Sequence, residues 1–260
     1  TKDLMTELSR QGHIYDEIRF APQLHRREGL TQRQAIEAVL EGRRQALAEN
    51  PGYDAGILLC AMCIGPETVN MTENLETVRL AKEFLGRGVV GADLAGAEGI
   101  VPLRSFQPVF DLARELGVPA TCHAGDSQGP DTVEDALHFG VTRIGHGHHI
   151  YDDPSLWKPA IARGVTLEIC PTSNIQCHTQ PSYREHPAKK LLDAGLRLCI
   201  STDNMTLAAV SLADEYRHCV EDMGFTREDL GKMLVFAAEA TFLPEDKKQK
   251  LLARVKQALA

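Results

Sequence analysis

Three apolar runs in the second half of the chain end in polar residues that can bind metals or carry protons. The first ends in histidine, a glycine turn and aspartate, the second in histidine, and the third in aspartate followed by asparagine. In parallel α/β barrels the chemistry lies at the C-terminal ends of the strands, where side chains from several strands meet. This recurrence therefore predicts a parallel α/β barrel with its site at that end. The three stretches are residues 121–126, 141–147 and 198–204.

The rest of the chain favours the same fold class. Seven short apolar runs alternate with amphipathic stretches of helical period, as expected for seven of the eight strands of a TIM (β/α)8 barrel. An open doubly wound sheet is the alternative, but few of its strands usually contribute to the site. The predicted strands are residues 13–20, 55–63, 89–94, 119–123, 142–146, 165–170 and 196–202. The predicted helices are residues 31–49, 72–85, 104–116, 131–139, 154–163 and 186–194, followed by helices only in residues 211–260.

Composition limits the location and the partners of the protein. The 260 residues are 43% hydrophobic, which is enough for a single barrel domain with a large core. A net charge of −8 argues against a nucleic-acid-binding face, and no apolar run reaches the length of a membrane span. The seven cysteines, an odd number scattered through apolar runs, are typical of buried free thiols in a reducing compartment. We therefore expect a cytoplasmic protein without nucleic-acid or membrane partners.

The strand-end residues are candidates for metal-assisted hydrolysis. His123 and Asp203 are the candidate ligands of one divalent metal, because zinc accepts imidazole and carboxylate, and we predict that they lie within about 4 Å of each other. A bound metal lowers the pKa of its coordinated water toward neutrality. His146 can orient or deprotonate that water, and Asp126 can pass a proton to the substrate. His148 has His-X-His spacing with His146 and is a minor candidate for a further ligand. It is only a minor one because side chains alternate along an extended chain, so His148 and His149 point in different directions.

Five motifs resemble those of the adenosine deaminase family. They are His-Ala-Gly-Asp at residues 123–126, Arg-Ile-Gly-His-Gly at 143–147, Cys-Pro-Thr-Ser-Asn at 170–174, Ser-Thr-Asp-Asn at 201–204 and Asp-Leu-Ala-Gly at 93–96. Residues 15–22 are similar to the family's second barrel strand. The resemblance implies a metal-dependent TIM barrel that hydrolyses the 6-amino group of adenosine, and of deoxyadenosine, to give inosine and ammonia. It also implies one Zn²⁺ per site as cofactor and a purine nucleoside as the small-molecule partner.

The resemblance further implies a role for each site residue. His123 and Asp203 match zinc ligands, and His146 matches the histidine that orients the metal-bound hydroxide attacking purine C6. Asp126 stands where the family usually has the glutamate that protonates purine N1. As an acid, Asp126 needs a pKa raised toward neutrality. The two substrate-binding positions, which match contacts to purine N3 and N7 respectively, are Gly96 and Asn204.

Three features depart from the family pattern. The family's His-X-His pair has no counterpart here, since only His13 and His25 precede His123. We expect this pair and the first barrel strand to precede Thr1, and residues 1–260 alone to be metal-poor, because two protein ligands are fewer than catalytic zinc sites generally have. The proton donor Asp126 is one methylene shorter than the glutamate that the family usually has. Asn204 has an uncharged amide where many members of the family have a second aspartate.

Two other functions stay open at this point. The missing His-X-His pair is compatible with a non-catalytic purine-binding or scaffold relative of the family. Within enzymes, a deaminase of adenine, AMP or another adenine derivative is the alternative, although an AMP enzyme needs a basic phosphate site that the acidic balance disfavours. Ser173 and Asn174 follow a predicted strand and are expected to shape the mouth of the site.

Overall fold

The structure is a computed structural model that describes residues 1–260, apart from the side chain of Glu67. The chain divides into two compact units, Thr1–Ala120 and Thr121–Ala260. Each unit contains one parallel sheet, and helices connect its successive strands.

The first unit is built on a three-stranded parallel sheet in the order β1-β2-β3. The central strand β2 is buried over most of its length, as its apolar residues on both faces require. The elements of this unit are α1 (Lys2–Arg10), β1 (Tyr15–Phe20), α2 (Gln32–Glu49), β2 (Asp54–Cys63), α3 (Met71–Phe84), β3 (Val89–Gly96) and α4 (Gln107–Leu116).

The second unit has four short parallel strands in the order β4-β5-β6-β7, followed by the helical C-terminal region. The strands and their connections are β4 (Thr121–Ala124), α5 (Pro130–Phe139), β5 (Arg143–His146), α6 (Trp157–Ala162), β6 (Thr166–Ile169), α7 (Pro171–Gln176), α8 (Ala188–Asp193) and β7 (Arg197–Ile200). The remaining helices are α9 (Met205–Ala208), α10 (Leu212–Glu221), α11 (Arg227–Ala240) and α12 (Glu245–Leu259).

All seven predicted strands are present, and each predicted helical stretch contains a helix. The start of α2 shows why the sequence signals are reliable. Thr31 accepts a hydrogen bond from the Gln34 N–H while the Gln34 side chain accepts one from the Thr31 N–H, which satisfies two backbone donors at the helix start. At the other end of a helix, Gly117 follows α4 with a φ of 65°, a left-handed conformation that glycine adopts without steric cost.

Three helices were not predicted from the sequence, namely α1, α7 and α9. Helix α7 has only six residues and is separated from β6 by a single residue, so it is too short to display a helical period of apolar residues. Helix α9 has four residues, and α1 buries only Met5 and Leu8. These short elements are identified only from the folded chain.

The register of the second sheet lines up the strand ends that carry the predicted site. His123 on β4 pairs with Gly145 on β5, and Ala124 pairs with His146. Parallel strands end at the same edge of a sheet, so β4 and β5 deliver their final residues side by side. At the other side of the sheet, β6 and β7 also end in register.

The cysteines are free thiols, as predicted. Five of the seven are buried, whereas Cys177 is exposed and Cys199 is half-buried. Among the described residues, no helix is both long enough and apolar enough to cross a membrane.

Candidate active site

His123 lies near the end of β4, where the glycine of the neighbouring strand makes room for its ring. A Cβ atom on Gly145 would lie 3.0 Å from His123 Nδ1. That separation is tighter than ordinary van der Waals contact, so any larger residue at position 145 would push the imidazole aside. The ring centroids of His123 and His146 are 5.3 Å apart. The two predicted site histidines are therefore neighbours.

His146 ends β5 in a strained backbone conformation. Its φ is 58°, in the left-handed region that residues other than glycine seldom adopt. Gly147, which follows it, is also left-handed, and a Cβ atom there would lie 2.8 Å from Leu167. The consecutive left-handed residues turn the chain sharply at the strand end and leave the imidazole of His146 only 4% exposed. Backbone strain of this kind clusters at functional sites.

Asp126 reaches the same place from the turn after β4. Its Oδ1 atom lies 3.4 Å from His146 Nδ1 and accepts a hydrogen bond of 2.8 Å from Asn174 Nδ2. The Thr179 hydroxyl is 3.3 Å from the same oxygen. The Asp126 side chain is 24% exposed, so it keeps access to a ligand while one oxygen is held.

Asn174 connects these residues from below the surface of the unit. It is fully buried, and its amide nitrogen contacts both Asp126 Oδ1 and, at 3.0 Å, His146 Nδ1. Its amide oxygen is 3.2 Å from Nε2 of His186. Burial lowers the pKa of His186 to about 3, so this ring is neutral near neutral pH.

His148 is a second fully buried histidine near this network. Burial is the main cause that lowers its pKa to about 2. Neither of its ring nitrogens makes a hydrogen bond of ordinary geometry with the described residues. Its ring packs at centroid distances of 4.5 Å from His149 and 5.5 Å from His186.

Asp203 follows β7, again in a left-handed conformation, with a φ of 54°. Its Oδ2 atom accepts a hydrogen bond of 2.8 Å from the Ser173 hydroxyl, which orients the carboxylate. The next residue, Asn204, is exposed and caps the start of α9, because its Oδ1 accepts the Leu207 N–H. The cap uses the amide oxygen, so a donor role toward a ligand falls to the amide nitrogen.

The residues fit a zinc ion in kind but not in number. Imidazole and a carboxylate braced by a hydroxyl are ligands that zinc accepts, which suits His123 and Asp203. Among the side chains that the structure describes, no group of three or more histidine, cysteine, aspartate or glutamate residues is positioned to hold a metal ion. A catalytic zinc site therefore requires at least one ligand beyond these two.

The structure brings together His123, His146 and Asp126, as the sequence predicted for residues at neighbouring strand ends. Gly96 lies at the end of β3 in the first unit, where a Cβ atom would lie 2.4 Å from the Cys63 carbonyl oxygen. This close approach explains the glycine. Its contact with a purine and the short distance between His123 and Asp203 stay predictions.

Sequence reasoning underestimated the residues that follow β6. Ser173 and Asn174 were expected only to shape the mouth, yet they bond directly to Asp203, Asp126 and His146. The signal was present, because they too follow a predicted strand end. His186 and Thr179 were missed altogether, since neither lies at a strand end.

Alternating parallel strands and helices, with histidine and carboxylate side chains at the strand ends, are typical of an α/β-barrel enzyme. The sequence profile of the adenosine deaminase family matches residues 1–258. The chain belongs to the adenosine deaminase family, whose members are metal-dependent aminohydrolases.

Individual relatives agree with this assignment. The adenosine deaminase of Haemophilus ducreyi is 39% identical over 258 residues, which cover 98% of this chain and 74% of that protein. An N6-methyl-AMP deaminase structure from Arabidopsis thaliana has a TM-score of 0.84 at 26% identity, covering 99% of this chain and 79% of that one. A zinc-bound amidohydrolase structure from Burkhoderia ambifaria has a TM-score of 0.91 at 23% identity, covering 99% and 71%. These likenesses confirm the fold class, a partial (β/α)8 barrel with seven strands.

Proposed function

We propose that the protein hydrolyses the 6-amino group of adenosine, and of deoxyadenosine, to release inosine and ammonia. The observation that carries this proposal is the contact of Asp126 with His146 and Asn174 at the ends of neighbouring strands. This cluster supplies one group for a proton and one for orienting water, which hydrolytic loss of an aromatic amine requires. The family assignment supports adenosine as the substrate.

The residues divide the reaction between them. The water oxygen bonds to purine C6, and Asp126 passes a proton to N1 as the ring loses its aromaticity. The C6–N bond then breaks and the amino group leaves as ammonia. Of the two protons of water, one replaces the proton that Asp126 donated and the other leaves with ammonia. His146 orients the attacking water, and Asn204 donates a hydrogen bond to N7.

Zinc is the cofactor that we propose, with His123 and Asp203 among its ligands and at least one more ligand to complete the site. When bound, the metal makes water nucleophilic near neutral pH. The hydrogen bond from Ser173 holds the Asp203 carboxylate for this role. The seven free thiols support the cytoplasm as the location, because thiols persist there in the reduced form.

A deaminase of AMP or an N6-substituted AMP is the second candidate. The observation that favours it is the likeness to the N6-methyl-AMP deaminase, at 26% identity and a TM-score of 0.84. A phosphate on the substrate requires basic side chains at the mouth, and the net charge of −8 makes such a site less favourable.

The test is to supply the complete protein with zinc and to measure the amine released, which is ammonia from adenosine, deoxyadenosine, adenine and AMP and methylamine from N6-methyl-AMP. We expect the nucleosides to have the highest kcat/KM. Preference for either nucleotide would transfer the proposal to the second candidate. A zinc-loaded, folded protein that releases ammonia or methylamine from none of the five would indicate a non-catalytic relative.

A variant of His146 separates its role from metal binding. We expect His146→Ala to keep its bound metal and to lose most of its hydrolysis, because the residue orients water and is not a ligand. Metal content is measured by elemental analysis. Loss of the metal in this variant would contradict the role.

A further inference from the structure

The hydrogen bonds around Asn174 have a definite direction, which starts at His186. The backbone N–H of Ala188 donates to His186 Nδ1 over 3.2 Å. That nitrogen must therefore carry a lone pair. The buried ring is neutral, so its single proton is on Nε2. Nε2 faces Asn174, and the atom that receives this proton must be the amide oxygen.

The opposite side of Asn174 gives the same orientation of the amide. A carboxylate is an acceptor, and Asp126 Oδ1 lies 2.8 Å from the amide nitrogen. The oxygen and nitrogen of a buried amide are assigned from their partners. Here the Ala188 N–H, acting through His186, and the Asp126 carboxylate both require the Asn174 oxygen to face His186 and its nitrogen to face Asp126.

The amide NH₂ group then determines the state of His146. It lies 3.0 Å from His146 Nδ1, so this nitrogen accepts a hydrogen bond, and in the neutral form of the ring the proton is then on Nε2. The alternative is a proton on Nδ1 donated to Asp126 Oδ1. That contact is longer, at 3.4 Å, and it would direct a ring N–H against the amide NH₂.

We propose that Asn174 is a positioning residue that holds His146 in the tautomer with its proton on Nε2 and holds Asp126 through its Oδ1 atom. This inference rests on the proposed hydrolysis for its functional meaning. In that tautomer His146 donates a hydrogen bond through Nε2 to the attacking oxygen, and it has no lone pair there to take a proton. The two roles that the sequence left open for His146 are thus reduced to orienting the water.

The same contact determines which oxygen of Asp126 transfers the proton. Because Oδ1 accepts from Asn174, the proton of the acid form lies on Oδ2. Asn174 thereby orients both neighbours: it leaves the N–H donor of His146 on Nε2 and the acid proton of Asp126 on Oδ2. It does so without touching the substrate.

The test uses ¹⁵N NMR of histidine-labelled protein, because the two ring nitrogens of a neutral histidine have different shifts when protonated or not. The His146 signals are assigned from their loss in His146→Ala. We expect protonated Nε2 and unprotonated Nδ1 in the wild type. Wild-type protein with the proton on Nδ1 would overturn the proposal. This readout requires no turnover, so it stands apart from failure of the proposed function.

Asn174→Asp is the decisive variant, since it keeps the shape and the acceptor for His186 but replaces the NH₂ group with an oxygen. We expect the His146 proton to move to Nδ1 and kcat on adenosine to fall roughly 100-fold or more, with KM changed only a few-fold. The matched control is Gln176→Ala on the same helix, which removes only a hydrogen bond to the Ala208 carbonyl. Wild-type kcat in Asn174→Asp would refute the role.

His186→Phe and His186→Gln provide a second route if Asn174→Asp does not fold. Phenylalanine removes the Nε2 donor that orients the amide, so we expect a mixture of His146 tautomers and a lower kcat. Glutamine can present an amide N–H in place of Nε2, so we expect the wild-type tautomer and most of the activity to be retained. An unchanged tautomer and an unchanged kcat in His186→Phe would count against the proposal.

Discussion

Two buried asparagines, one in each unit, use the same side chain for different purposes. Asn74 is fully buried in α3 and bonds to the backbone of β2: its Oδ1 accepts the Met62 N–H over 2.7 Å, and its Nδ2 donates to the Met62 carbonyl over 3.0 Å. Asn174 is equally buried, but its amide nitrogen contacts the side chains of Asp126 and His146. The first holds a strand end in place, whereas the second holds groups with reactive atoms.

The surroundings of the two residues extend this contrast. In the first unit, Gln23 and Asn70 join Asn74 in an amide cluster without a titratable group. In the second unit, His186 and the carboxylate of Asp126 are the partners. A buried polar network rigidifies a fold wherever it lies, and it serves chemistry only where its members can hold or move a proton. We therefore expect variants in the first unit to lose stability and variants in the second unit to lose activity.

The largest expected effect is that of Asp126→Asn on activity. An amide cannot deliver the N1 proton, so we expect kcat to fall about 10³-fold or more, equivalent to ~4 kcal/mol in the barrier. The free energy of unfolding should change by less than about 1 kcal/mol, because the amide oxygen can still accept from Asn174. Asp126→Glu should retain or raise activity if the purine binds as in the family.

Adenosine turnover and urea unfolding measure the two effects, with the exposed Asp131→Asn as control. A variant that lost stability while its folded fraction kept full kcat would contradict a catalytic role for Asp126. The buried network of the second unit would then only stabilise the fold, as that of the first unit does.

The next effect is the pH dependence of stability that Glu215 contributes. This fully buried carboxyl accepts the Thr172 N–H, and burial raises its pKa from 4.5 to about 7. The folded state binds the proton more tightly than the unfolded state, so the stabilisation is present below pH 4.5 and is lost as pH rises to about 7. The shift corresponds to about 3 kcal/mol.

Comparing wild type with Glu215→Gln at each pH isolates this group from His186 and His148. The lowered pKa values of those histidines act in the opposite direction, since their stabilisation is lost as pH falls below 6.5. We expect the wild type to lose stability relative to Glu215→Gln between pH 4.5 and about 7. A constant difference across this range would show that Glu215 stays ionised in the folded protein.

Asn74→Ala should be the reverse of Asp126→Asn. It leaves the Met62 N–H without its acceptor, which we expect to cost about 2 kcal/mol of unfolding free energy, whereas the Met62 carbonyl keeps a hydrogen bond from Asn70. The kcat of the folded fraction should stay within a few-fold of wild type. Asn74→Asp keeps the acceptor for the Met62 N–H, so its free energy of unfolding should lie between those of the wild type and Asn74→Ala. A large loss of kcat at unchanged stability in either variant would remove the distinction between the two asparagines.

The smallest effect is expected for Ser173→Ala. It removes the hydrogen bond that orients Asp203, and removal of such a partner typically weakens metal binding about tenfold. Competition with a chelator measures the zinc affinity of the complete protein. The control is Ser182→Ala, which removes an exposed hydrogen bond to Glu185. Equal zinc affinity in both variants would mean that the Asp203 carboxylate is held without Ser173.

Local patterns in the sequence predicted the seven strands, their alternation with helices and the placement of His123, His146 and Asp203 near strand ends. Each depends on local physics, namely apolar runs that form buried strands, caps such as that of Thr31, and glycines where the chain must turn. The family motifs follow the same local order, so they identified the family and the residue types of the site.

The contacts that hold those residues in place are seen only in the folded chain. Asn174 meets His186, His146 and Asp126 across 12, 28 and 48 positions of the chain. No periodicity or cap encodes such a pairing, because it arises when separate strand ends and loops converge on one buried amide. The direction of its hydrogen bonds depends on one further backbone N–H, that of Ala188, and this contact exists only in the folded chain.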